Sequence, residues 1–192
     1  MGARILAAVL AGGGSRRFGA DKAMADFDGA PLIVRVGERL RAQADAIAVC
    51  GHEQGAALLG CALLPDPEAP VCGPLLGVFA AMSWALGEGG AWLVTAPCDT
   101  PFIPLNMAER LVTAARAAHA QAAFAQTPSG LHPLCAAWSP QLATALGAQF
   151  AAGAHPQVRA AAPDAPCVMF EDEDAFANIN TLEDFERLRP RR

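Results

Sequence analysis

The sequence predicts an α/β fold, a mostly parallel central sheet with helices on both faces, and three observations carry that expectation. Short apolar runs alternate with longer helical patterns from Ile5 through Ala118, which is the pattern of parallel strands joined by crossover helices. The first run, Ile5–Leu10, leads straight into consecutive glycines at 12–14. Two aspartates, Asp66 and Asp99, directly follow later runs. Ligands in open α/β sheets bind outside the carboxyl ends of the strands, so the glycine loop, Asp66 and Asp99 should share one edge.

Taken in order, residues 4–11 form the first strand and Met24–Phe27 a short apolar connector before the Asp28-Gly29 turn. Pro31 opens a helix with Leu32, Ile33, Val36 and Leu40 on one face and Arg35, Glu38, Arg39 and Arg41 on the other. Ile47–Cys50 is a buried strand, and Gly51-His52-Glu53 turns into a weak helix. Ala62–Leu64 is a third strand, followed by a proline-rich loop over 66–74 and an apolar helix from Leu75 to Leu86. Trp92–Thr95 is a fourth strand, and Pro104 starts a helix reaching Ala118.

Beyond Ala122–Ala125 the pattern changes. Leu131–Trp138 reads as a strand with proline near its start. A helix follows from Pro140 to Phe150, then a shorter one over Gln157–Ala162, and Val168–Phe170 is a last strand. The acidic run Glu171–Asp174 suits a solvated turn better than a metal site. Thr181-x-x-Asp184 resembles a capping box at the start of a terminal helix. No linker, repeat or low-complexity segment divides the chain, so residues 1–192 are expected to form one domain.

Composition narrows the function. Hydrophobic residues make up 53% of the chain and charged residues 17%, which excludes extended disorder. The formal net charge of -5 argues against sequence-independent nucleic-acid binding, yet a few focused cations can still receive a small anion. There is no polybasic membrane patch, no separate apolar leader, and no apolar run of transmembrane length. The six cysteines include no C-x-x-C pair and read as free thiols in a reducing compartment. A cytoplasmic protein with neither nucleic-acid nor membrane partners is expected.

The glycine loop carries the clearest chemistry. Glycines let backbone N–H groups approach phosphate oxygens, and Arg16, Arg17 and Lys22 supply positive charge. Arg17 stands where a dinucleotide fingerprint needs its third glycine, and Ala20-Asp21 where a Walker A loop needs Lys-Ser or Lys-Thr. The remaining pattern, G-G-x-S-R-x-x-G-x-D-K after a strand, is typical of nucleotidyltransferases acting on nucleoside triphosphates; a glycine-rich surface turn is the plain alternative. Asp99, framed by Pro97 and Pro101, is the best metal candidate, because magnesium takes one or two carboxylates plus phosphates and water; otherwise it caps the helix near Pro104. Asp66 could accept from a base or ribose, or cap the helix after Gly73. Lys22 and Arg17 would stabilise charge on departing pyrophosphate. His132 reads as structural or substrate-orienting rather than as a general base, and His52, His119 and His155 receive no role. Asn178 and Asn180 would present both amides to one face of a strand, for ligand recognition or as turn formers.

Together, Leu10-Ala-Gly-Gly-x-Ser-Arg-Arg-Phe-Gly-x-Asp-Lys22, Pro97-Cys-Asp-Thr-Pro-Phe102, His132-Pro133 with Trp138, and Asn178-Ile-Asn-Thr-x-Glu-Asp-Phe185 resemble the molybdenum cofactor guanylyltransferase family, from Ile5 to Leu188. The resemblance implies a Rossmann-like nucleotidyltransferase fold that transfers GMP from GTP to the terminal phosphate of molybdopterin, releasing pyrophosphate. It implies nucleotide contacts from Leu10, Ala11, Gly12, Gly13, Lys22, Asp66 and Asp99, with Mg²⁺ (or Mn²⁺) on Asp99. It places Asn178 and Asn180 on the molybdopterin side. Arg17, Lys22 and Asp99 become the catalytic set, and molybdoenzyme apoproteins or their chaperones candidate recipients.

The chain departs from the family at Phe18, often Met, at Ala20, often Gly, and at Gly51-His52, where relatives often carry a nucleotide-contacting Asn. The alternatives within the fold are a molybdopterin cytidylyltransferase and a sugar-1-phosphate nucleotidyltransferase. Outside enzymology, the alternative is a non-catalytic nucleotide-binding or cofactor-binding delivery protein. The second glycine of Leu10-Ala11-Gly12-Gly13 favours guanine, since cytidylyl relatives tend to have Leu-Ala-Ala-Gly.

Overall fold

The first strand, β1 (Ile5–Leu10), is the axis of the architecture because alternate residues feed two separate cores. In a strand successive side chains point to opposite faces; Ala7 and Val9 join one apolar cluster, Leu6, Ala8 and Leu10 the other. Both faces therefore need helices, as expected. The computed structural model describes residues 3–12, 21–65, 67 and 73–188.

After β1 and a three-residue 3-10 turn (Lys22–Met24) come a two-residue ribbon, β2 (Asp26–Phe27) with β3 (Ala30–Pro31), and helix α1 (Leu32–Arg41). The chain continues through β4 (Ala46–Cys50), α2 (Glu53–Leu59), β5 (Ala62–Leu64), α3 (Pro74–Gly87), β6 (Trp92–Pro97) and α4 (Met107–Ala117). It finishes with β7 (Ala122–Thr127), β8 (Gly130–Trp138), α5 (Leu142–Ala151), a 3-10 turn (Val158–Ala161), β9 (Cys167–Met169) and α6 (Leu182–Leu188). Side chains of α1, α2 and α4 pack on one sheet face, those of α3 and α5 on the other. Among the described residues no helix is long and apolar enough to cross a membrane.

The seven-stranded sheet has the order β5-β4-β1-β6-β8-β7-β9. The β4–β5, β1–β4, β1–β6 and β7–β9 pairs are parallel, whereas β8 runs antiparallel to both β6 and β7. The reversal begins at a tight β7–β8 connection, where Gly130 takes φ +145. The helix expected from Pro104 begins at Met107, after a turn closed by the Met107 N–H to Pro104 carbonyl bond. The shorter helix expected over Gln157–Ala162 is the single 3-10 turn.

Helices α1 and α2 meet through glycines. A Cβ on Gly37 would lie 2.4 Å from Leu59 Cδ1, and one on Gly55 2.3 Å from Ile33 Cδ1. Neither contact leaves room for a larger residue, so these two positions set how closely the pair packs.

Pro133 explains an irregularity with consequences for the site. Phe124 pairs with Ala136, but Ala125 pairs with His132, so residues 133–135 bulge out of the ladder. Proline has no N–H to offer a neighbouring strand, and bulges are where sheets tolerate it. The Leu134 carbonyl is recovered by a hydrogen bond from Thr95 Oγ1 at 2.8 Å. Thr95 Oγ1 in turn accepts from Trp138 Nε1 at 3.0 Å. His132, beside the bulge, packs on Phe176 with ring centroids 5.1 Å apart and shares a 2.9 Å hydrogen bond with Thr127 Oγ1.

Two predictions follow from this hairpin. Thr95→Val keeps the shape but strands the buried Trp138 N–H and Leu134 carbonyl; urea unfolding should show a loss of about 2–5 kcal/mol, and a change below about 0.5 kcal/mol would mean that the two groups find other partners. Burial lowers the His132 pKa from the usual 6.5. Its unfolded form therefore takes up a proton first as pH falls, so stability is full above pH 6.5 and is lost as pH drops through the folded value. His132→Gln should flatten the fall in melting temperature between about pH 7.5 and 5; an unchanged slope would assign that fall to other groups.

Candidate active site

Four parallel strands end at one level. Leu10 pairs in register with Cys50 on β4 and with Pro97 on β6, and Cys50 pairs with Leu64 on β5. The ladder runs one step further: Ala11 N–H donates to the Cys50 carbonyl (3.1 Å), Cys98 N–H to Leu10 (3.0 Å), and Gly51 N–H to Leu64 (2.9 Å). The loops after these strands thus leave the sheet side by side, held by main-chain bonds that do not depend on side-chain identity.

On this edge Lys22, the chain's single lysine, is only 7% exposed. Its Nζ donates to Asp99 Oδ2 and to Asn180 Oδ1, each at 2.6 Å. Asp99 lies in the loop after β6, and Asn180 just before α6. The two segments are also joined through the main chain, because Ile179 N–H donates to the Asp99 carbonyl at 2.9 Å. Asp99 Oδ1 is buried and has no hydrogen-bond partner among the described residues. A buried carboxylate oxygen left unpaired is costly, so this atom calls for a partner from beyond the described residues.

Asp99 does not cap a helix: the N-cap of α4 is Asn106. Asn178 and Asn180 are exposed while Ile179 between them is buried, so the expected alternation holds although the segment is not a strand. Asn178 lines a cavity of about 180 Å³ with Thr100, His132 and the bulged residues Pro133, Leu134 and Cys135. Leu10 is buried, Ala11 partly buried and Gly12 exposed, all at the end of β1. The expectations for Gly13, Arg17 and Asp66 fall outside the described residues.

No group of three or more His, Cys, Asp or Glu side chains able to hold a metal occurs among the described residues. A cation here would take one carboxylate from the protein and its other ligands from phosphates and water, which is the coordination Mg²⁺ favours. Cys98 borders Asp99, yet burial, helped by the Asp99 charge, pushes its thiol up to about 12. Burial raises Cys135 as well. Both remain thiols at neutral pH and are poor nucleophiles. The described cysteines Cys50, Cys61, Cys98, Cys135 and Cys167 are all free, as expected.

Sequence reasoning missed His52 and Asp21. His52 is the N-cap of α2: its Nδ1 accepts from Gly55 N–H at 2.9 Å, and its Nε2 meets Asp21 Oδ2 at 2.7 Å. Asp21 in turn caps the turn bearing Lys22, with Oδ1 accepting from Ala23 N–H at 3.1 Å. The sequence signals were a polar residue three before Gly55 and an aspartate beside the lysine, neither of which points to the other.

Comparison with known proteins identifies the family. The family model described as a MobA-like NTP transferase domain matches residues 7–162. A molybdenum cofactor guanylyltransferase of Cereibacter sphaeroides is 39% identical over 186 residues, covering 96% of this chain and 95% of the relative. The enzyme of that name from Rhodobacter capsulatus is 38% identical over 191 residues, covering 98% and 96%. In fold, the chain is similar to the crystal structure of molybdopterin-guanine dinucleotide biosynthesis protein A from Archaeoglobus fulgidus, with a TM-score of 0.72, 24% identity and 96% of each chain covered. A Mycobacterium tuberculosis protein crystallised in complex with manganese shares the fold at a TM-score of 0.66 and 14% identity, covering 98% and 99%. The chain belongs to the MobA-like NTP transferase family, and within it to the molybdenum cofactor guanylyltransferases.

Proposed function

We propose that the protein transfers GMP from GTP to the terminal phosphate of molybdopterin, forming the guanine dinucleotide cofactor and releasing pyrophosphate. The observation that carries the reading is the meeting of Lys22, Asp99 and Asn180 at the strand edge that follows the glycine loop, with one Asp99 oxygen left unpaired. An oxygen of the acceptor phosphate forms the new bond to the α-phosphorus, and the α–β bridging bond breaks with its electrons on pyrophosphate. The acceptor is already an anion, so no strong general base is needed. The barrier lies in bringing two polyanions into line.

Each residue then has a task. Leu10, Ala11 and Gly12 contact the guanine, and Gly13 and Asp66 the nucleotide. Arg17 and Lys22 neutralise charge on the phosphates. Asp99 would hold Mg²⁺, with Mn²⁺ as the alternative; the bound cation would supply further neutralisation of phosphate charge. Asn178, which lines the cavity beside the Pro133 bulge, and Asn180 face molybdopterin. The free thiols support a cytoplasmic setting. Molybdoenzyme apoproteins or their chaperones are the recipients of the product.

Titration calorimetry with GTP, CTP and ATP in Mg²⁺ tests the reading, alongside pyrophosphate release with molybdopterin present. Selective GTP binding is expected. Asp99→Asn keeps a hydrogen-bond acceptor for Lys22 while losing the charge, so circular dichroism should be unchanged and transfer should fall by about 10²–10³-fold. Lys22→Ala should fall as far. Selective CTP binding would move the protein to cytidylyl transfer, and wild-type turnover by Asp99→Asn would remove Asp99 from the chemistry.

A further inference from the structure

We propose that His52 is a positioning residue for Lys22, acting through Asp21. The inference rests on the reading of Lys22 as a phosphate-binding cation.

The three-residue turn that carries Lys22 has little holding it from within. Two main-chain bonds close it, Met24 N–H to Asp21 and Ala25 N–H to Lys22, each 3.1 Å. Its N-cap, Asp21, uses both carboxylate oxygens: Oδ1 caps the turn and Oδ2 reaches across to His52. The His52 tautomer follows from its other contact. Nδ1 accepts from the Gly55 N–H, so the proton of the neutral ring sits on Nε2 and is donated to Asp21. The His52 side chain is 12% exposed against 51% for Asp21, so the histidine is the fixed end of the pair.

Behind His52 the anchor is rigid. A Cβ on Gly55 would meet Ile33 Cδ1 at 2.3 Å and His52 Nδ1 at 3.0 Å, so only glycine lets α2 press on α1 and still offer its N–H to the ring. Ala56 and Leu59 of α2 are buried in the core. A continuous chain of contacts therefore runs from packed helices through His52 and Asp21 to the turn whose lysine sits 2.6 Å from both Asp99 and Asn180. Both ring nitrogens are engaged, which leaves His52 no free nitrogen for a base or ribose. His52 thus serves the lysine turn.

Two substitutions cut this tether while each preserves its own cap. Serine is as good an N-cap as asparagine or aspartate but is too short to span the gap. His52→Ser keeps an acceptor for Gly55 N–H, and Asp21→Ser keeps one for Ala23 N–H. The first readout is the rate at which a water-soluble acylating reagent modifies Lys22, followed by mass spectrometry; a chain with one lysine makes the signal unambiguous. The second is GTP affinity with Mg²⁺, measured also in a Lys22→Met background.

Either serine variant should speed acylation and weaken GTP binding about three- to tenfold, the equivalent of one lost hydrogen bond, with the melting temperature within about 2 °C of wild type. The double variant should be no worse than either single one, and in the Lys22→Met background His52→Ser should change GTP affinity less than about twofold. Unchanged acylation and affinity would overturn the proposal. So would additive losses, or an equal loss without Lys22, which would mean that His52 acts on the nucleotide or the fold directly. If the wild type does not bind GTP, the functional reading fails, and the acylation rates still decide whether the tether holds Lys22.

Discussion

A buried ion pair organises this end of the molecule. Lys22 and Asp99 are 77 positions apart in sequence and Lys22 and Asn180 are 158 apart, yet both contacts are 2.6 Å. Taking either charge away leaves the other in a poorly hydrated place, a loss of about 3–5 kcal/mol where such pairs have been broken. Such a pair gives little net stability compared with an apolar filling of the same space. It stands at a strand edge, with one carboxylate oxygen unsatisfied among the described residues, which fits the proposed role in receiving a ligand.

The pair can be held in place because its supports are not made of side chains alone. In-register strand ends align the loops after β1, β4, β5 and β6 through main-chain hydrogen bonds. The Asn178–Asn180 segment is fixed to the Asp99 loop by the Ile179 N–H, with Ile179 itself buried beneath. Sites carried on rigid elements keep their geometry better than sites on free loops. Asp99 and Asn180 sit on loops, but both segments are pinned by main-chain bonds within a residue or two of these side chains.

What the sequence made legible was local. The strand–helix alternation, helices opening at Pro31 and Leu75 (observed from Leu32 and Pro74), and Asp99 after β6 each follow from a pattern within a dozen residues. Strand direction did not: Leu131–Trp138 has the same apolar character whether it runs with β6 or against it, and only the short β7–β8 turn decides. The Pro133 bulge was half visible, since proline in a strand argues for a break but not for the cavity that the break opens beside Asn178. Least visible was the Asp21–His52 contact. His52 lacks metal-ligand spacing and looked idle, because its role comes from a fold-level approach of two loops 31 positions apart.

The charge pattern links the ligand-free arrangement to the proposed chemistry. A chain of net charge -5 must still host two substrates that are both polyanions. An unpaired carboxylate at Asp99 would repel them, and an unpaired lysine amid apolar neighbours would be poorly solvated. Pairing Lys22 with Asp99 removes both penalties while the site is empty. In the proposed reaction Lys22 would pair with phosphate and Asp99 would hold the cation, so neither charge would be left without an opposite one. Asn180 fits the same logic: its amide oxygen steadies the ammonium without adding negative charge, where an aspartate at that position would add one more repulsion against the incoming phosphates.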